Sequence, residues 1–553
     1  MWDARKPMPV IEVSMTMAWD EVVLSVAQMG QADAWAVNAG VSGVALMDRA
    51  GSGMCDAITR RWARRPVVVL CGPGNNGGDG LVVARKLSEQ GWPVTVALWA
   101  PAADVKGDAL HHARLWLQAQ ATAPTAARTV PLADLSLNGC ALVVDALFGA
   151  GLSRPLDALC TRVLTQARAL GVPVVAADVP SGLHGDLART LDGQPLPAPA
   201  DLTVTFMAPK PAHVLMPGKA ACGEVVVVDI GIAPGALPTL GSVLAPHVPL
   251  MRRNSPTLWQ PVWPSPAIDA HKYRRGHALV FSGAHMVGAA RLTSRAAARV
   301  GAGLVTLAVP AQAWAVVAPT LWSTMAQSLD DPTPEALLSH WSACLTGHRW
   351  AAVAIGPGAR AGLPVNAAHL GGDDGADTLR QLVLCLLAAP IDAGVVLDAD
   401  ALMVFESQPE VLMSALRARL QARPLAPPVV LTPHEGEFTR LFGPSDQDKI
   451  TRTRQAAERS GAVVLHKGPD TVVASPAGDV VINTLAPVWL ATAGSGDVLT
   501  GLITGLLAQG VPALQAACAA AWLHGAAAQA FGPGLIAEDL PEQVPGLLRR
   551  LWC

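Results

Sequence analysis

The sequence predicts an α/β protein of two domains, and three observations carry that expectation. The chain has 553 residues, more than one hydrophobic core supports, because cores stop growing at about 250 to 300 residues. Apolar residues make up 51% and charged residues 15%, which excludes a disordered chain and supplies material for two buried parallel sheets. Short apolar runs alternate with helix-length segments from end to end, the pattern of βαβ units.

In the first half the strand candidates are PVVVLC (66–71), PVTVALW (93–99), ALVVD (141–145), PVVAAD (173–178), LTVTF (202–206) and EVVVVDIG (224–231). Between Ile232 and Pro266 the alternation stops. Pro234, Pro238, Pro246, Pro249, Pro256, Pro261, Pro264 and Pro266 crowd that stretch, so a linker is expected at 246–267, between domains 1–245 and 268–553. The pattern resumes with HALVFSG (277–283), LVTLAVP (304–310), AAVAIG (351–356), GVVLD (394–398), PVVLTP (428–433) and AVVLHKG (462–468). A strand pair, TVVAS and DVVINT, follows.

No Asp, Glu, Lys or Arg lies between Asp497 and Glu538, a stretch long enough to raise a membrane span of about 20 residues. Its glycines, Pro512, His524 and glutamines instead divide it into two buried helices. The net charge of -3 gives no reason to bind nucleic acid or an anionic membrane. The N-terminal segment carries acidic residues and Pro where a signal peptide needs an apolar run, and the nine cysteines are scattered without a CxxC pair. Reduced thiols in a cytoplasmic protein are expected.

Strand PVVVLC runs into Gly72-Pro73-Gly74-Asn75-Asn76-Gly77-Gly78-Asp79-Gly80 and then a helix. Glycines 72, 74 and 77 satisfy GxGxxG, the dinucleotide fingerprint. Two features oppose that reading: the ribose-binding acid after the second strand is missing, and Asp79 stands where a helix N-cap would be. A Walker A loop is excluded because no Lys-Ser/Thr pair follows the glycines. Two further strands end in Asp145 and Asp178, the latter leading to Ser181. Asn76, Asp145 and Ser181 offer hard oxygen ligands for an alkali or alkaline-earth cation, leaving Asp178 to act on a substrate. The plainer alternative is that these side chains only cap loops.

GPGNNGGDG, VDALFGAGL, DVPSGL, TVTFMAPKP and VVVVDIGI, preceded by QADAWAVNAGVSGVALMDRAG, resemble the epimerase domain of bifunctional NAD(P)H-hydrate repair enzymes over roughly residues 20 to 232. The resemblance implies a Rossmann-like three-layer αβα sandwich. It also implies that Asn75, Asn76, Gly77, Gly78, Asp79, the loop Gly149, Ala150, Gly151, Leu152, Ser153, Arg154 and Pro155, and Asp178 hold the hydrated nucleotide. Asp178 would be the acid/base, and Asn76, Asp145 and Ser181 would bind potassium. Ala150 departs from the commoner Thr, and DVPSGLHGD from DxPSGLNxD.

Near the other end, Ala493-Gly494-Ser495-Gly496-Asp497 opens an apolar helix. Such a start stabilises developing negative charge while Asp497 can take a hydroxyl proton, which together suit phosphoryl transfer to an alcohol. Alone, the turn could be an ordinary capped helix. LDADAL (397–402), TPHEGEFTRL (432–441), HKGPDT, WLATAGSGDVLTG (489–501), IGPG (355–358), HKYRRGHALVFSG (271–283) and RVGAGLVTLAVP (299–310) resemble the ADP/ATP-dependent NAD(P)H-hydrate dehydratases over roughly residues 268 to 550.

This second resemblance implies a ribokinase-like αβα domain. Ala289, Gly358, His434 and Asp497 would line the hydrated nucleotide, with Asp497 as base. Lys467, Gly468, Pro469, Asp470, Thr471, Gly494, Ser495 and Gly496 would contact ADP or ATP with Mg2+. MVGAAR and Ala359-Arg360 depart from the family pattern. By residue type alone, Lys467 reads equally as a solvated strand-end lysine and His434 as a satisfied loop histidine. The partners expected are hydrated NADH or NADPH and ADP or ATP, in a homo-oligomer. Two other readings stay open: a ribokinase-like vitamin kinase fused to a sensing domain, and a first domain without catalysis.

Overall fold

The computed structural model describes residues 21–101, 104–122, 127–232, 249–265, 267–330, 332–365 and 375–552. The segment 1–20, Cys553 and the prolines at 234, 238, 246 and 266 lie outside the described residues. The chain divides into two compact units, Met1–His213 with Pro217–Pro246, and Val214–Met216 with His247–Cys553.

The first unit holds an all-parallel seven-stranded sheet. Its order is Ala127–Pro131, Val94–Leu98, Val67–Cys71, Leu142–Ala146, Val174–Ala177, Leu202–Phe206, Glu224–Val228. The inner strands are buried along their whole length and apolar except at Asp145, Thr203 and Thr205, as a sheet covered on both faces requires. The edge strand Ala127–Pro131 is half-exposed and carries Arg128, so it lacks the apolar signature and escapes a reading based on it. From Val67–Cys71 the chain winds outward to Ala127–Pro131, then returns to the other side at Leu142–Ala146. That reversal leaves a crevice at the carboxyl ends of the two central strands.

In the second unit the strands run Met251–Arg253, Val480–Asn483, Thr471–Ala474, Val463–His466, Val430–Leu431, Gly394–Leu397, Ala352–Ile355, His277–Phe281, Leu304–Pro310, Met325–Leu329. Pairing is parallel from Met325–Leu329 to Val463–His466. It turns antiparallel across the next two pairs. The charge-free stretch forms helices Ser495–Ala508 and Ala513–Phe531. Both are buried in the core of this unit. Among the described residues, no helix is long and apolar enough to cross a membrane.

The stretch 246–267, expected from its prolines to be a linker, is in its described part built into the second unit. Met251–Arg253 pairs with Val480–Asn483, and Trp259 (0% exposed) and Trp263 (5%) join the core. Asn254 Nδ2 donates to Asn483 Oδ1 (2.9 Å) and to the carbonyl of Cys518 (2.7 Å). Prolines suppress regular structure, but two indoles carry enough apolar surface to anchor the segment.

Candidate active sites

At the crevice of the first unit, Gly72 and Gly77 let two strand-end loops meet. A Cβ on Gly72 would lie 1.7 Å from the Leu147 carbonyl oxygen, and one on Gly77 would lie 1.9 Å from that of Gly72. The helix Asn75–Glu89 starts inside the loop, with Gly74 as N-cap and no side-chain cap. This corrects the expectation for Asp79, which is a buried residue in the second turn and not the cap. Asn and Gly continue directly into the helix, so its first N–H groups stay available to a ligand.

A cavity of about 800 Å³ opens there, lined by Asn75, Asn76, Asp79, Gly149 through Arg154, and Asp178. Gly77, Gly78 and Pro155 are not in its wall: Gly77 abuts Gly72, Gly78 packs against Met47 and Ala109, and Pro155 faces solvent.

Asp178 sits at the end of strand Val174–Ala177 with φ of 64°, an unfavourable conformation of the kind held at functional sites. Its carboxylate accepts from Lys210 Nζ (2.7 Å), Thr205 Oγ1 (2.9 Å) and the Ala150 amide (3.0 Å). Burial pushes its carboxyl up, but the buried Lys210 ammonium beside it and these hydrogen bonds outweigh that and hold it at about 2. Asp178 is therefore a fixed anion near neutral pH.

Asp145, fully buried, accepts from Ser181 Oγ (2.6 Å), the Ser181 amide (2.8 Å) and the Leu147 amide (3.3 Å). Every one of these donors is neutral, and burial raises its carboxyl despite them. The Phe148 carbonyl is 3.2 Å from Ser181 Oγ. Asn76 Nδ2 is buried without a partner, and a half-turn of that amide puts its oxygen in the same place. An uncompensated buried carboxylate among neutral oxygens suits an alkali cation.

In the second unit, Gly494 adopts φ of 85° and caps the helix Ser495–Ala508, placing Asp497 in its first turn. Lys467, at the end of strand Val463–His466, is 2.7 Å from Asp398 Oδ1 and 3.7 Å from Glu437 Oε2. Its Nζ is 3.6 Å from where a Cβ on Gly496 would stand. Thr500 Oγ1 donates to Asp398 Oδ2 (2.8 Å). Burial lowers Lys467, but Asp398 and Glu437 outweigh it and the net shift is upward. Lys467 is thus an ion-paired ammonium, not a solvated one. Burial, with Asp398 and Asp400 adding and Lys467 opposing, raises Asp497 to about 6.

His434 caps the helix Glu435–Phe442: its Nδ1 accepts from the Gly436 and Glu437 amides, and the Glu437 carboxylate accepts from the His434 amide. Its ring remains exposed. Gly358 and Ala289 adjoin, with 3.3 Å between their Cβ positions. Asp470 is buried against Lys449 Nζ (2.7 Å), and Thr471 Oγ1 closes the turn onto Gly468. These two shape the 467–471 loop. Among the described residues, no group of three His, Cys, Asp or Glu side chains is placed to hold a metal.

Residues 278–543 match the family described as NAD(P)H-hydrate dehydratase, and residues 43–212 the YjeF-related protein N-terminus. Over 95% of each chain, the sequence is 35% identical to the bifunctional NAD(P)H-hydrate repair enzyme of Salinibacter ruber. The chain belongs to the bifunctional NAD(P)H-hydrate repair enzymes. That of Moorella thermoacetica is 34% identical, over 96% of this chain and 97% of its own. A crystal structure of the Bacillus subtilis ADP/ATP-dependent NAD(P)H-hydrate dehydratase, co-crystallised with ATP/Mg2+, is 28% identical. It covers 52% of this chain and 94% of its own, with a TM-score of 0.41.

Several polar residues of this NAD(P)H-hydrate repair enzyme have no sequence-level assignment. Lys210 and Thr205 lie in TVTFMAPKP, Asp398 in LDADAL and Glu437 in TPHEGEFTRL. The motifs carried the signal, but only the fold pairs Lys210 with Asp178 and Lys467 with Asp398. Asp33, which also lines the first cavity, stands outside any such pairing.

Proposed function

We propose that the first cavity interconverts the R and S forms of hydrated NADH and NADPH, and that the second site dehydrates the S form using ADP or ATP. The observation that carries this reading is the convergence of Lys467, Asp398 and Asp497 at a helix N-terminus that no side chain caps. Water is a poor leaving group from the hydrated ring carbon. Asp497 takes the proton of its hydroxyl, the oxygen attacks the terminal phosphorus of the nucleotide, and the bond from that phosphorus to the departing ADP, or AMP where ADP is the donor, breaks. The Gly494 to Gly496 amides and Lys467 stabilise the charge in flight. The ring nitrogen lone pair then expels phosphate, and loss of the neighbouring carbon's proton restores the double bond.

A base whose proton leaves at about 6 is matched to neutral pH. Mg2+ would enter with the nucleotide phosphates, as is usual for an ion that prefers one or two carboxylates plus phosphate oxygens to a protein cage. Asp398 and Glu437 are the carboxylates nearest Lys467.

In the first unit, Asn76, in the cavity wall, with Asp145 and Ser181, which are fully buried and outside that wall, would hold K+, whose charge would balance the buried Asp145 carboxylate. The acid/base role expected of Asp178 narrows to that of a permanent anion beside the reacting carbon. A domain limit near 245 belongs to the same proposal, as do a reducing, cytoplasmic setting and a homo-oligomer. The eight described cysteines are all unbridged. Exposed Trp322, Val316 and Met325 cluster in sequence around the sheet-edge strand Met325–Leu329, a surface suited to self-association.

Product analysis tests the reading. With the S form and ATP, the enzyme releases NAD(P)H and free phosphate. A stable phosphorylated substrate would identify a vitamin-type kinase instead.

A further inference from the structure

We propose that Asp33 is the proton-carrying acid of the first cavity, acting on the substrate hydroxyl while Asp178 supplies a fixed negative charge. This rests on the epimerase reading above. Asp33 lies on the helix Val26–Asn38, which the glycine loops do not touch in sequence, and its side chain faces the same cavity as Asp178 and Lys210.

The two carboxylates differ in how they are held. Asp178 is gripped by Lys210, Thr205 and the Ala150 amide, so its oxygens are occupied and it stays ionised. Asp33 has no hydrogen-bond partner among the described residues and is open to a ligand in the cavity. Burial pushes Asp33 up, Lys210 opposes and Asp178 adds, leaving it at about 6. Asp79, the third carboxyl in the wall, is more deeply buried, and burial with its anionic neighbours favours its neutral form. The remaining charged groups lining the cavity are Asp108, on the helix Gly107–Thr122, and Arg154.

The Asp33 carboxyl donates its proton to the hydroxyl on the hydrated ring carbon, the C–O bond breaks, and water departs with the bonding electrons. The ring nitrogen lone pair forms a C=N+ bond, and the cation is stabilised by the Asp178 carboxylate. Water then adds to the opposite face and returns one proton to Asp33. Nothing is oxidised or reduced, and the two epimers interconvert. An acid is needed, so the rate is expected to fall as pH rises through about 6.

The test uses the full chain and R-form hydrated NADH without nucleotide, following appearance of the S form above the enzyme-free rate. Asp33→Asn is expected to lower kcat by about 10²-fold or more, to keep KM within about threefold, and to abolish the alkaline fall in the pH profile. Asp33→Glu is expected to recover part of the rate. Wild-type kcat and an unchanged pH profile in Asp33→Asn would overturn the assignment while leaving the epimerase reading intact. A wild-type chain with no epimerisation would overturn both. A loss confined to KM would make Asp33 a binding residue and also overturn the proposal.

Discussion

Two carboxylates decide the chemistry, and their surroundings push them in opposite directions. Asp497 feels burial and two acidic neighbours and titrates at about 6, whereas Lys210 holds Asp178 near 2. A base must be deprotonated to work, so dehydration is expected to fall as pH drops through about 6, and Asp497→Asn to lose about 10²- to 10⁴-fold in kcat. Initial rates across pH for both proteins check this. Lys467→Met strands the buried Asp398 carboxylate, which is expected to cost about 3–5 kcal/mol in denaturant unfolding. Adding Asp398→Asn should restore most of that stability and none of the activity, which separates the ion pair's two roles.

The elements explain how these side chains meet and why part of that was hidden in the sequence. Gly501 and Gly505 let the helix Ser495–Ala508 lie against the helix Val287–Arg299, where an added Cβ would stand 2.1 Å from the Thr293 oxygen and 2.5 Å from that of Ala297. Gly501→Ala is therefore expected to destabilise the protein by about 1–3 kcal/mol and to shift Asp497, whose carbonyl accepts from Thr293 Oγ1 (3.0 Å). The inner strands were legible as apolar runs, and the helix starts at Asn75 and Ser495 followed from glycine clusters. Ala127–Pro131, Met251–Arg253 and Met325–Leu329 were not, because short, partly exposed strands bury too little to write such a run. Trp259 offers a direct check on the segment expected to be a linker. Replacing it with Ala is expected to cost about 3–5 kcal/mol, as for a large core side chain, where a true linker would show no change in unfolding midpoint.

On the scale of the whole molecule, one chain carries two sites of complementary chemistry. The motifs of each half were legible together with the substrate class they imply. The long-range partners were not: Lys210 lies 32 residues from Asp178 and Lys467 lies 69 from Asp398, and no local periodicity links such pairs. A dehydratase selective for one epimer leaves the other behind, and an epimerase in the same chain removes that remainder. The most direct measurement gives pure R-form hydrated NADH and ATP to the full chain and follows the return of dihydronicotinamide absorbance. The wild type is expected to recover all of it, Asp497→Asn almost none, and Asp178→Ala only at the enzyme-free epimerisation rate. Recovery by Asp178→Ala at the wild-type rate would contradict the account.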